Sequence, residues 1–270
     1  MKLGDLWKTV RKAVTRRRGL GYRPNPTDER DRQYKKASQR PKAKKSLRKY
    51  VEIVDQSYTS SCVACAVAGA LRVMEKKSGH DYGFPSALFL YWNARRRYDK
   101  PPLKDDGTYI RECFKALTKL GVPDEENWPF KPSRVNDKPR GYSPWAKADP
   151  RKGGEYLAIT GTKSKRVDRI KAAIDDGYPV VFGTDIAKSF MKRSSFDVID
   201  RPDRNDKIIG GHAMLIVDYR TVDGDTQFLV ANSWGRKWRD GGFCWFTERY
   251  IRWSQTGDFT IVHGWERIAS

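Results

Sequence analysis

The sequence has little of what would mark a membrane, secreted or metal-binding protein. No apolar run approaches the roughly 18 residues that a bilayer span needs. The opening stretch, MKLGDLWKTVRKAVTRRR, lacks the continuous apolar segment of a secretory signal, so a cytoplasmic protein is the first expectation. Four cysteines (Cys62, Cys65, Cys113 and Cys244) in 270 residues are too few for a disulfide scaffold and point to a reducing compartment. A structural zinc site would want a second Cys/His pair at ligand spacing; Cys113 and Cys244 stand alone, so neither metal nor cofactor is expected. No internal repeat is visible.

Basic charge is what the chain has in excess. Lys and Arg number 54 against 33 acidic residues, a net of +21. Residues 1–50 hold 18 of those bases and four acids, or +14, which leaves +7 for the other 220. Leu3, Leu6, Trp7, Val10 and Val14 recur at helical spacing, with Lys8, Arg11, Lys12 and Arg16 on other faces. Residues 1–18 therefore read as a basic amphipathic helix, either packed on the body or docked to an acidic partner, nucleic acid or acidic protein. Residues 19–50 are polar, carry Pro24, Pro26 and Pro41, and read as a basic segment laid over the body.

From Val51 the texture becomes that of a folded body. Cys62–Lys77 is apolar on nearly every face until Arg72 and reads as a buried helix, with Ser60 and Ser61 supplying N-cap chemistry and Gly79 ending it. Residues 85–97 and 108–120 read as two more helices, and 127–155 as a long connection. After a helix over 165–176 come strand-like runs at 180–186, 212–220, 226–234, 241–250 and 258–265, with a hairpin turn at 222–225. Helices followed by strands make an α+β layout, a helical lobe over about 51–150 and a β lobe over about 151–270.

Cys62 opens the buried helix, where free N–H groups and the positive end of the helix dipole favour a thiolate. The small residues before it would leave the sulfur open to a cleft. A thiolate nucleophile needs a base, and a third group to hold that base. Of the three histidines, His80 follows a helix end and His263 lies on the last strand; His212 follows Gly210-Gly211 at the start of an apolar run. Asn232 lies on the next strand, placed to orient the imidazole. Gln56, six residues before Cys62, could direct its amide, with the Cys62 backbone N–H, at an oxyanion. Trp234 could cover the His–Asn hydrogen bond.

These residues carry a resemblance. Gln56-Ser-Tyr-Thr-Ser-Ser-Cys62-Val-Ala, Gly211-His212-Ala213 and Asn232-Ser233-Trp234-Gly235 together resemble the papain-like cysteine peptidases, in the order Gln, Cys, His, Asn. Segments such as GYRP and GGHAMLIVDY are similar to the bacterial and phage-type branch. The resemblance implies a two-lobe papain-like fold with the cleft between lobes and a polypeptide substrate. It also implies roles for Gly107 and Gly211, where a substrate backbone approaches, and for Trp234. Val63 stands where the family has Trp after the nucleophile.

Two other readings compete for the same residues. Cys62-Val-Ala-Cys65 is also a C-x-x-C, but no convincing strand precedes it, as a redox dithiol would require. In the second, the fold is an inert structural or binding component of a larger phage or nucleoprotein assembly, virion-associated and anchored by the basic arm.

Overall fold

The computed structural model describes residues 18–36, 46–192 and 198–265. The amphipathic helix read over 1–18 lies almost wholly outside the described residues, as does 37–45 of the segment that follows it.

Helix α1 (Cys62–Lys77) is buried at every position from Cys62 to Glu75 except Gly69, as expected of a helix without a polar face. Its start is not capped as the sequence suggested. Ser61 occupies the N-cap but its side chain makes no cap hydrogen bond; the hydroxyl lies instead 2.8 Å from Thr59 Oγ1 and 3.8 Å from Cys65 Sγ. Near its other end the helix buries Glu75, whose carboxylate takes Arg151 Nε at 2.6 Å. Removing either partner would strand a charge in the core, at a cost of about 3–5 kcal/mol. Helix α2 (Ala87–Arg95) starts two residues later than Pro85, because Ser86 caps it through the Phe89 N–H. Residues Thr108–Tyr109 form strand β2 rather than the first turn of helix α3 (Ile110–Leu120), and pair in parallel with strand β1 (Tyr22–Arg23).

The second half forms one seven-stranded sheet, ordered β3-β9-β4-β6-β7-β8-β5. Its members are β3 (Glu155–Ala158), β4 (Val180–Ala187), β5 (Val198–Ile199), β6 (Ile208–Val222), β7 (Asp225–Ala231), β8 (Phe243–Thr247) and β9 (Thr256–His263). All its pairs are antiparallel except β5–β8. Helix α4 (Lys163–Asp175) precedes β4 and packs on β4 and β6. The β6–β7 hairpin turns through Asp223 and Gly224, both at positive φ, the conformation an Asp-Gly turn supplies. The layout is α+β, with α1 laid against β6.

The stretch read as a surface layer is more deeply built in than that. Tyr22, Tyr34 and Leu47 are buried with the core, and Tyr34 and Leu47 donate backbone hydrogen bonds to Ala158 and Val217. Aromatic residues placed between the basic ones give this polar segment its own anchors.

Candidate active site

Two structures converge at the start of α1. The first is a loop on the helical side. Gln56 is fully buried: its backbone N–H donates to Ser233 O at 2.8 Å, and its Oε1 accepts from Ser233 Oγ at 2.5 Å. Ser60 is held from the other side by Asp105, whose Oδ1 accepts from the Ser60 N–H at 2.9 Å and from Tyr91 Oη at 2.9 Å. Tyr91 Oη in turn accepts from Gly107 N–H. Asp105 thus ties the loop leading to Cys62 to the loop carrying Gly107.

The second is the sheet. His212 lies on β6 opposite Thr184 of β4, and Asn232 immediately follows β7, the next strand. His212 Nε2 and Asn232 Oδ1 are 2.8 Å apart. Asn232 Oδ1 also accepts from Ser233 N–H at 2.8 Å, so the oxygen is an acceptor and the imidazole proton sits on Nε2. His212 Nδ1, buried and without a hydrogen-bond partner among the described residues, keeps the free lone pair. The Trp234 ring lies over the imidazole, 4.8 Å between centroids. The backbone N–H of Ala213, the residue after His212, faces the Cys62 thiol, which brings the two sides together.

The site is not an open cleft. Cys62 and His212 are both fully buried, because residues 18–25 run across them as a strap. The Arg18 guanidinium donates to Trp234 O at 3.0 Å and pairs with Asp55. The Gly19 carbonyl takes Gln56 Nε2 at 3.1 Å, the donor read from sequence as facing an oxyanion. Leu20 lies over Gly210. The Gly21 N–H faces the Cys62 thiol and its carbonyl accepts from Thr108 N–H at 2.8 Å. The fit is close: a Cβ on Gly19 or Gly21 would come within 1.9 Å of the Thr59 or Ser60 carbonyl oxygen. Gly107 and Gly211, read as places for a substrate backbone, face the strap here. A Cβ on Gly107 would meet Gly21 O at 2.1 Å, and one on Gly211 would meet Tyr22 O at 2.4 Å.

Covering the site changes its electrostatics. Burial pushes the Cys62 thiol up to about 11, only partly offset by the N–H groups of Ala213, Gly21, Val63 and Cys62 itself. Burial pulls His212 down to about 4, against the hydrogen bond to Asn232. Each shift favours the uncharged form, so the sealed pair is a thiol and a neutral imidazole. The helix start expected to hold a thiolate is outweighed by exclusion of water. Cys65, the other cysteine of the C-x-x-C, is free and also buried, its thiol raised by burial.

The profile of the papain family cysteine proteases matches residues 37–257. The chain belongs to that family. It is 33% identical over 217 residues to an uncharacterized peptidase C1-like protein of Acanthamoeba polyphaga mimivirus, covering 77% of this chain and 68% of that one. To cathepsin S of Mus musculus it is 25% identical over 196 residues, covering 71% of this chain and 54% of that one. The chain thus spans a little over half of that cathepsin's length. In structure it is similar to xylellain, a cysteine protease from Xylella fastidiosa, at a TM-score of 0.82 and 29% identity, covering 91% and 96% of the two chains. No helix among the described residues is long and apolar enough to cross a membrane, and among them no group of His, Cys, Asp and Glu could hold a metal ion.

Of the residues at this site, the sequence reading missed Gly19, Gly21, Tyr22, Asp105 and Ser233. The signal was present in Gly19-Leu-Gly21-Tyr22, two glycines one residue apart just before an aromatic, which fits a backbone that must lie against another backbone.

Proposed function

We propose that this papain-like peptidase hydrolyses peptide bonds through Cys62, His212 and Asn232, and that residues 18–25 hold it latent. With the strap displaced, water and substrate dipoles reach the pair and the proton passes from the Cys62 thiol to His212 Nδ1. The thiolate attacks the substrate carbonyl, while Gln56 Nε2 and the Cys62 N–H donate to the oxyanion. The imidazolium protonates the leaving amine. Water, deprotonated by His212, then releases the acyl group, and the thiol is restored. Asn232 holds the ring so that Nδ1 is the nitrogen facing the thiol. The observation that carries this reading is the 2.8 Å His212–Asn232 hydrogen bond, which leaves a buried Nδ1 without a partner among the described residues, on the residue next to the Ala213 N–H that faces the sulfur.

The strap supports latency by occupying the oxyanion donor, the thiol and the Gly107 edge at once. The test is labelling of full-length protein with an epoxide thiol-protease probe, followed by mass spectrometry of the modified cysteine. Gly21→Ala, whose Cβ has no room against Ser60, should unseat the strap and label at Cys62 far faster than the parent. Label on Cys65 would overturn the assignment of Cys62 as nucleophile, and no label on either cysteine in the opened variant would return the chain to the inert-component reading.

A further inference from the structure

The first turn of α1 carries two cysteines, Cys62 and Cys65, both free and buried. The Cys65 N–H donates to Ser61 O at 3.0 Å, so the turn that joins them is regular helix. Three residues of α-helix set two Cα atoms about 5 Å apart, inside the range that a disulfide spans. Both side chains lie on the flank of α1 that meets β6. The Cys62 thiol faces the Ala213 N–H, and Cys65 lines a cavity of about 20 Å³ together with Ala213, Asn232 and Ser233. A space of that size takes one water molecule and gives the Cys65 sulfur room to turn. A chain of hydroxyls fixes where Cys65 holds its proton. Thr59 Oγ1 donates to Gln56 O at 2.7 Å, so it accepts from Ser61 Oγ at 2.8 Å. Ser61 Oγ, its own proton committed, accepts from the Cys65 thiol at 3.8 Å. The Cys65 sulfur keeps its lone pairs for an electrophile.

We propose that Cys62 and Cys65 form a peroxide-responsive switch: once the strap is displaced a hydroperoxide oxidises Cys62, and Cys65 closes a Cys62–Cys65 disulfide that halts the enzyme reversibly. The proposal rests on the peptidase reading above for the Cys62 thiolate and for what the disulfide halts. In the first step the thiolate attacks the outer oxygen of the hydroperoxide. The O–O bond breaks, Cys62 becomes a sulfenic acid, and the departing oxyanion takes the proton of the His212 imidazolium. In the second step the Cys65 sulfur attacks the Cys62 sulfur. The S–O bond breaks, and the leaving hydroxide takes the Cys65 proton and departs as water. The two thiols give up two electrons and the hydroperoxide gains them. Closing the bond draws the two Cβ atoms together and loosens the first turn, where the Ser61 side chain makes no cap hydrogen bond to hold the helix start. A sulfenic acid with no thiol beside it goes on to sulfinic acid, which ordinary reductants do not reverse. Cys65 competes with that loss as an intramolecular neighbour. Burial raises the Cys65 thiol, so it stays protonated and is the partner in the reaction rather than the first target. In the sealed chain burial keeps Cys62 a thiol as well, which spares it.

The experiment exposes the full chain carrying Gly21→Ala to stoichiometric hydrogen peroxide, follows hydrolysis of a fluorogenic peptide, and maps the cysteines by mass spectrometry. Hydrolysis should be lost, dithiothreitol should restore nearly all of it, and the digest before reduction should contain the Cys62–Cys65 disulfide. Adding Cys65→Ala should leave hydrolysis before peroxide close to that of the opened chain. Its loss to peroxide should be lasting, with Cys62 recovered as sulfinic acid. Cys65→Ser, which keeps the volume and a hydroxyl beside Ser61, should behave the same way and serves where alanine disturbs packing. The parent with its strap seated should keep free thiols through the same exposure. A Cys65–Cys113 disulfide, sulfinic acid on Cys62 of the opened chain, equal recovery with and without Cys65, or oxidation of the sealed parent as fast as the opened chain would overturn the proposal. If Cys62 takes the epoxide probe but no disulfide forms, the switch fails and the peptidase reading stands. If the disulfide forms but no peptide is cut before peroxide, the peptidase reading fails and the thiol chemistry stands. If Cys62 takes neither, both fail.

Discussion

The two walls of the site are built by different means. The helical wall is mostly main chain: the Thr59 and Ser60 carbonyls, the Cys62 N–H and the Gly107 loop, held in place by Asp105 and Tyr91. The sheet wall is mostly side chain: His212 set by strand register, Asn232 just past the end of β7, and Trp234 held by its bridge to Asp55. A wall of main chain admits another main chain at close range and tolerates no added Cβ. A wall of side chains fixes protonation instead, since the Asn232 oxygen chooses which imidazole nitrogen carries the proton. The strap exploits both, laying two glycines on the first wall and Tyr22 over the glycines of the second.

The comparison is tested hardest by removing one reacting group from each wall. In the strap-opened Gly21→Ala chain, Cys62→Ala and His212→Ala should each lower peptide hydrolysis by about a thousand-fold or more, and the double variant should be little worse, because nucleophile and base act as a unit. A double variant far below either single one would mean that the two walls act independently. Gln56→Ala, which removes a donor without touching the pair, should cost about 10²–10³ in kcat. Its loss should leave alkylation of Cys62 by a small neutral thiol reagent close to that of the opened parent.

A pH titration separates the walls further. Alkylation of Cys62 in the sealed chain should climb with pH toward about 11, since the buried thiol must ionise alone. In Gly21→Ala the midpoint should fall by several units as water returns and His212 can carry the proton. Superimposable curves for the two proteins would show that the strap does not set the state of the thiol. Smallest of all should be His263→Ala. That residue lies on the sheet, but its Nδ1 pairs with Glu155 at 3.1 Å, and its loss should leave hydrolysis within about three-fold. A larger drop, with the fold intact by circular dichroism, would place part of the chemistry on the wrong edge of the sheet.

What the sequence disclosed follows the same division. The buried helix from Cys62 to Lys77, the β6–β7 hairpin and the pairing of His212 with Asn232 could be read because hydrophobic period and an Asp-Gly turn are local signals. The strap could not be placed, because main chain lying on main chain leaves no period. Its two glycines become informative only once Thr59 and Ser60 are seen beneath them. The hydrogen bond from the Tyr22 hydroxyl to Asp258 was hidden for another reason: 236 residues separate the two, and only the neighbouring of β9, β4 and β6 brings them near. The pull toward the neutral state was missed as well, since a helix start predicts a thiolate only while water can reach it.

Ser233 has a mechanical consequence. This one residue accepts the Gln56 backbone N–H and donates its hydroxyl to the Gln56 side chain, while Asp55 bridges Trp234 beside it. The preceding residue, Asn232, holds His212. The two walls are therefore stitched along one margin, as pages are along a spine, and Gln56 and His212 are bound into the same stitch. A separation of the walls would have to break this stitch or turn about it. Turning about it would leave the distance from Gln56 to His212 nearly constant, so the residues proposed to bind the oxyanion and to move the proton would stay in step.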